Sequence, residues 1–244
     1  GEQRAKPLCL AYPGAQKLKP DPKSFHLLPT DDGSLTLLHP VFGEAYSSRY
    51  GAWMQANELY LKQTQTHLHP SPRVLEVGFG LGVNFCATLE NCLGRGAYLE
   101  YLSYEAYPVS REVLASVKRP LSVSAQRVWA SILDGWPAQP GGPLCLEGAW
   151  GRLEVRYEDV AQALFPTDWA SAVYLDPFSP KVNPEPWQLE VLKKLFLATK
   201  GGAWLTTYSV AGSFRRALAA SGFKVSRVPG IGKKAWTVAE HPRD

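Results

Sequence analysis

"RVLEVGFGLGVNF", residues 73–85, runs from a short hydrophobic strand into three alternating glycines and then into a helix-like stretch. Glycines at Gly78, Gly80 and Gly82 let the chain turn tightly and bring backbone close to a ligand, at the carboxyl edge of a sheet and beside a helix N-terminus. The spacing is not the G-x-G-x-x-G of dinucleotide sites. Glu76 also stands at the strand end just before the first glycine. A carboxylate there repels a diphosphate and suits a ligand carrying positive charge.

Downstream, strand and helix patterns alternate. Strands are expected at Arg73–Val77, Leu99–Tyr104, Leu153–Tyr157, Ser171–Leu175 and Ala203–Tyr208, with helices near 81–92, 108–117, 187–199 and 211–221. That order is the signature of an α/β, mostly parallel, doubly wound Rossmann-like sheet. "FKVSRV" and "KKAWTVAE" are expected to close it as a C-terminal antiparallel hairpin around Pro229-Gly230-Ile231-Gly232. Lys118–Gly151, rich in Pro, Trp and Gly, breaks the rhythm and reads as an insertion with a helix at Ala125–Leu133.

Upstream, residues 1–30 read as an irregular Pro- and Lys-rich lead-in. A turn at Asp31-Asp32-Gly33 and a short strand follow, and residues 51–66 read as an amphipathic helix through Trp53, Ala56, Leu59 or Tyr60, and Gln63. The expected division is an N-terminal extension with a lid-like segment (1–66) and a main domain (67–244, insertion about 118–151), packed as one compact unit.

Bulk properties agree. A chain of 244 residues with 45% hydrophobic content fits one decorated α/β domain. No run of 18 apolar residues and no signal-like N-terminus is present, so neither membrane span nor secretion signal is read. The chain opens at Gly1 rather than Met, as expected from trimming or from a cloning remnant. Cys9, Cys86, Cys92 and Cys145 match neither a metal nor a disulfide pattern and fit free thiols in a reducing cytoplasm. His67-x-His69 lacks a third ligand nearby and reads as a turn before Pro70, so no metal is expected. Net charge is +4, yet residues 201–244 carry seven Lys/Arg against two acids. That segment is either a solvated face or a phosphate-binding surface.

Acids recur at the strand ends. Glu105 in "SYEAYP" is placed to accept hydrogen bonds from both ribose hydroxyls of a nucleoside, or to cap the next helix. Asp159 in "RYEDV" suits an adenine amine as well as it suits a helix N-cap. With the glycine loop they outline a nucleoside site. S-adenosylmethionine (SAM), which carries a sulfonium and an ammonium, fits these acids where NAD does not. The fourth strand ends in "DPFSPKVNPEPW", residues 176–187, with four prolines that restrict their own φ and the preceding residues. So stiff a loop holds Asp176 against a substrate, where a carboxylate can orient an amine and take its proton.

"EVGFGLGVNF", "LSYEAYPVSREVL", "VYLDPFSPKVNPEPW" and "TTYSVAGSFRRALAASGFKVSRVPGIGKKAWTVAE" together resemble the methyltransferase half of the MnmC family, the tRNA 5-methylaminomethyl-2-thiouridine biosynthesis enzymes. The similarity runs from about Asp31 to Glu240. It implies a class I SAM-dependent methyltransferase fold and methylation of the aminomethyl group of a wobble uridine, with tRNA and SAM as partners and no oligomer required. On the cofactor side it implies Tyr46, Ser48, Glu76, Gly78, Phe79, Gly80, Gly82, Asn84, Glu105, Asp159 and Asp176. On the substrate side it implies Phe178, Lys181, Asn183 and Trp187, and the positive excess of the last segment leads to the expectation that Arg215, Arg216, Lys233 and Lys234 face phosphates. Bifunctional members carry an additional FAD-dependent oxidase domain, so a stand-alone form is expected here. The rival readings are methyl or aminopropyl transfer to a small amine, with "HPVFGEAYSS" as a lid, and a non-catalytic tRNA-binding protein.

Overall fold

The structure is a computed structural model and describes residues 26–31, 35–46, 51–136 and 142–243. Ten strands and six α-helices are described, in the order β1 (His26–Pro29), β2 (Leu35–Leu38), α1 (Ala52–Gln55), β3 (Arg73–Val77), α2 (Val83–Arg95), β4 (Leu99–Tyr104), α3 (Arg111–Ser116), α4 (Val123–Gly135), β5 (Leu144–Gly148), β6 (Gly151–Arg156), β7 (Ala170–Leu175), α5 (Leu189–Ala198), β8 (Thr199–Thr207), α6 (Gly212–Ala220), β9 (Lys224–Pro229) and β10 (Ala235–Glu240).

Eight strands form one sheet in the order β5-β6-β4-β3-β7-β8-β10-β9. The five strands from β6 to β8 are parallel, and β10 enters antiparallel between β8 and β9. β3, which feeds the glycine loop, is hydrogen-bonded to β4 on one side and β7 on the other, and there the strand order reverses direction. A crevice opens beyond the strand ends at such a switch point, which is where open α/β sheets hold ligands.

The parallel strands are nearly continuous apolar runs because both faces are covered. One face packs Val74, Tyr101 and Leu153 against α2 and α4 through Phe85, Leu89 and Ile132. The other packs Leu75, Val77 and Val173 against α5 and α6 through Leu192, Leu195 and Phe214. Alternation along β3 therefore puts Glu76 on the α2 face, with Val74.

Three expectations change. Residues 26–29, assigned to the irregular lead-in, form β1 and pair antiparallel with β2. In the 118–151 block the helix expected at Ala125–Leu133 is α4, capped by Ser122 accepting from the Ala125 N–H, and an unexpected strand, β5, joins the sheet antiparallel to β6. The helix expected over 51–66 is α-helical only at Ala52–Gln55 and continues as a π-helix over Ala56–Lys62, turning Leu59, Tyr60 and Leu61 all inward. The remaining strands and helices lie within a few residues of the expected bounds. The Asp31-Asp32-Gly33 turn falls partly outside the described residues. No described helix is long and apolar enough to cross a membrane. Among the described residues no group of three or more His, Cys, Asp or Glu could hold a metal ion.

Candidate active site

A cavity of about 250 Å³ opens at the carboxyl ends of β3, β4, β7 and β8. Its floor is the glycine loop. Gly78 has φ +92°, and a Cβ there would sit 2.6 Å from the Asp176 carbonyl oxygen, so only glycine lets these two strand ends touch. Gly80, at φ +54°, lies under the Tyr46 ring, which a Cβ would meet at 3.0 Å.

Carboxyl groups dominate the polar lining. Glu105 accepts from the Gly80 N–H at 2.7 Å and from the Tyr107 N–H at 2.8 Å, while burial pushes its carboxyl above the ordinary range. It ties the end of β4 to the glycine loop and keeps further lone pairs for a ligand. Asp159 lines the cavity and accepts from the Ala161 N–H at 2.9 Å, so the turn-capping role and the ligand-facing position coincide in one residue. Lys194 Nζ holds the following turn by donating to the Val160 and Ala163 carbonyls. Asp176 accepts from Tyr60 Oη at 2.7 Å and from Asn84 Nδ2 at 2.9 Å. Burial raises its carboxyl to about 7, against the lowering effect of both hydrogen bonds.

The loop after Asp176 is pinned at successive residues. Tyr208 Oη donates to the Pro177 carbonyl at 2.6 Å and Trp187 Nε1 to the Phe178 carbonyl at 2.8 Å. Ser179 donates through its N–H and its hydroxyl to the Glu44 carboxylate. Phe178 enters an aromatic cluster with His39, Phe42 and Tyr46, at ring separations of 4.9 Å to each. His39 is buried in that cluster and its pKa falls to about 4, so it is neutral. From the stretch 39–46, Glu44 and Tyr46 line the cavity, and His39 and Phe42 pack against Phe178.

Of the residues singled out in the sequence, Tyr46, Gly78, Phe79, Gly80, Asn84, Glu105, Asp159, Asp176, Phe178, Asn183 and Lys234 line the cavity. Ser48 lies outside the described residues. Gly82, at the N-cap of α2, abuts Trp129 and not the cavity. Trp187 is buried behind the loop, packed edge-on against Phe214. Lys181, Arg216 and Lys233 are exposed outside the cavity, and Arg215 is partly buried on α6. Glu76, expected on the cofactor side, is not among the residues that line the cavity. It is fully buried under α2, accepts from Ser103 Oγ at 2.8 Å, and its carboxyl is pushed up to about 8 by burial. At neutral pH it is mainly an uncharged acid.

Tyr60, Tyr208, Glu44 and His39 were not found from the sequence. Tyrosine and histidine at apolar spacing read as core, and no local pattern shows which hydroxyl meets a strand end 116 residues away.

A doubly wound sheet with an antiparallel penultimate position, a glycine loop and acids at successive strand ends defines the class I SAM-dependent methyltransferases. Residues 124–242 match the family described as S-adenosyl-L-methionine-dependent methyltransferase. That stretch is just under half of the chain, and the chain is similar in sequence to the MnmC proteins. It is 37% identical over 212 residues to the "tRNA 5-methylaminomethyl-2-thiouridine biosynthesis bifunctional protein MnmC" of Paracidovorax citrulli, covering 82% of this chain and 33% of that protein. The protein of the same name in Caulobacter sp. strain K31 is 32% identical over 231 residues, covering 88% and 38%. The chain thus spans about a third of the length of the curated relatives it matches. Among solved structures, MNMC2 from Aquifex aeolicus superposes with a TM-score of 0.73 at 25% identity, over 90% of this chain and 71% of that one. Spermidine synthase from Thermotoga maritima, at 13% identity and a TM-score of 0.51, shares the fold.

The residues present fit SAM. The glycine loop lines the cavity, and Glu105, Glu158, Asp159 and Asp176 face it together with Lys234. That balance suits a ligand bearing a sulfonium and an ammonium.

Proposed function

We propose that this chain methylates the aminomethyl group of 5-aminomethyluridine, or its 2-thio form, at the wobble position of tRNA, giving the 5-methylaminomethyl base. Bound SAM supplies an electrophilic methyl group on sulfur. Glu105 would accept from its ribose hydroxyls and Asp159 from its adenine amine, with Tyr46 over the glycine loop. The observation that carries the reading is Asp176, a carboxyl group held by Tyr60 and Asn84 at the cavity, beside the glycine loop.

A primary amine on a nucleoside is mostly protonated near neutral pH and must shed a proton before its lone pair attacks carbon. The Asp176 carboxylate attracts the ammonium, receives a proton from it, and orients the free amine toward the methyl group. Because the loop around it is already rigid, little entropy is lost in forming that arrangement. Phe178, in the aromatic cluster at the cavity, offers a face on which a flipped base can stack.

The macromolecular substrate is supported by where the cations sit. The β9–β10 turn with Lys233 and Lys234, the first turns of α6 with Arg215 and Arg216, and Lys181 all lie at the carboxyl edge of the sheet, around the cavity. In this reading they meet tRNA phosphates, and the protein works in the cytoplasm.

The test is methyl transfer from isotopically labelled SAM to tRNA carrying 5-aminomethyluridine. The same tRNA without the aminomethyl group and a free diamine serve as comparisons. Label is expected only in the aminomethyl tRNA, as the methylaminomethyl nucleoside. Label on the diamine would establish the small-amine reading instead. SAM binding without transfer to any acceptor would leave a binding protein.

A further inference from the structure

We propose that Tyr60 is a positioning residue for the reaction, holding Oδ1 of Asp176 so that the carboxylate presents its remaining lone pairs to the cavity. The inference rests on the methyl-transfer reading of Asp176 and names the residue that makes that carboxylate competent. A carboxylate oxygen accepts about two hydrogen bonds. Tyr60 occupies one site on Oδ1 at 2.7 Å and Asn84 one site on Oδ2 at 2.9 Å, which fixes the plane of the group and leaves a site on each oxygen for the substrate.

Tyr60 is built to do this without moving. It is 0% exposed, and its ring lies 5.4 Å from that of Tyr174 in the core. Its hydroxyl also lies 3.4 Å from the Leu175 carbonyl, the residue before Asp176. Burial, then the Asp176 charge, keep the phenol far from ionising, so it remains a donor. It reaches Asp176 from the π-helical stretch Ala56–Lys62, and π-helical turns within helices concentrate at functional sites.

The surroundings show why a donor is needed. Glu76 from β3, Tyr101 from β4 and Tyr208, just after β8, all lie near Asp176, and Glu44 lies near Tyr208. Lys234 lines the same cavity from the β9–β10 turn. Against burial, the hydrogen bonds from Tyr60 and Asn84 favour the ionised carboxylate.

The experiment compares Tyr60→Phe with Tyr174→Phe. Tyr174→Phe deletes a neighbouring buried hydroxyl that pairs with Thr88 Oγ1 at 3.0 Å and makes no hydrogen bond to Asp176. The carboxyl carbon of Asp176 is titrated by NMR in the free protein, its resonance assigned with Asp176→Asn, and the pH dependence of single-turnover methyl transfer is followed in parallel. Tyr60→Phe is expected to raise the Asp176 midpoint by about one pH unit. It should also shift the rising limb of the rate profile upward equally, with SAM affinity unchanged, while Tyr174→Phe moves neither. An unmoved midpoint in folded Tyr60→Phe overturns the assignment, as does an equal shift in Tyr174→Phe. If the wild-type protein transfers no methyl group to aminomethyl tRNA, the functional reading fails, and the carboxyl titration still decides the role of Tyr60.

Discussion

Gly78 and Asp176 meet backbone to backbone: a single Cβ on Gly78 would stand 2.6 Å from the Asp176 carbonyl oxygen. In the proposed reaction the end of β3 shapes the cofactor side and the end of β7 the substrate side, so this approach would set the distance between the two halves of the chemistry. Gly78→Ala strains a φ of +92° and forces the strand ends apart. We expect a loss of about 1–3 kcal/mol in stability. Both SAM affinity, by calorimetry, and methyl transfer should fall, because the displacement reaches both sides.

Asp176→Asn separates orientation from charge. The amide can still hold an amine but cannot take its proton. SAM affinity is expected to stay near wild type while single-turnover methyl transfer falls by about 10²-fold or more. In the wild type the rate should rise as pH passes through about 7, where Asp176 ionises.

The same group makes a stability prediction. Its carboxyl is raised from 3.8 to about 7 in the folded protein, so the folded state holds the proton more tightly than the unfolded chain. Ionising Asp176 therefore costs stability, progressively, between about pH 4 and pH 7. Asp176→Asn removes that cost. Relative to wild type, its melting temperature should be higher at pH 8 than at pH 4; a constant difference would show that Asp176 ionises as easily folded as unfolded.

Glu76→Gln should be nearly silent at neutral pH. Glu76 is already uncharged below about 8, and glutamine keeps a group that accepts from Ser103. SAM affinity within a factor of about three of wild type is expected, the scale of a small change in hydrogen bonding. A loss of a hundredfold would restore the ionised, cofactor-facing role.

Glu105→Ala removes an acceptor that also anchors the glycine loop through the Gly80 N–H. SAM binding should weaken by about 1–3 kcal/mol. Unchanged affinity in a folded variant would take Glu105 out of the site.

On the nucleic-acid side, neutralising Arg215, Arg216, Lys233 and Lys234 together should weaken tRNA binding and flatten its salt dependence, by roughly 0.7–0.9 units of slope for each phosphate that the protein no longer neutralises. Affinity and slope equal to wild type would make the patch a solvated face.

Local sequence determined a good deal of this protein. Apolar runs bounded by glycine and proline mark the parallel strands, and the three glycines mark the turn that follows β3, because backbone preference and burial periodicity act over a few residues. The acids at the strand ends were legible for the same reason: where a strand ends, the next side chains stand at the sheet's edge. Only the tertiary structure decided which of those acids face a ligand. Glu76 precedes the last residue of β3, and the pleat turns it under α2, where desolvation neutralises it; Asp176 follows the last residue of β7 and stays at the cavity. Only the assembled core joins Tyr60 to Asp176 across 116 residues and Glu44 to Ser179 across 135, since such hydrogen bonds depend on how helix and sheet pack and leave no periodic trace along the chain.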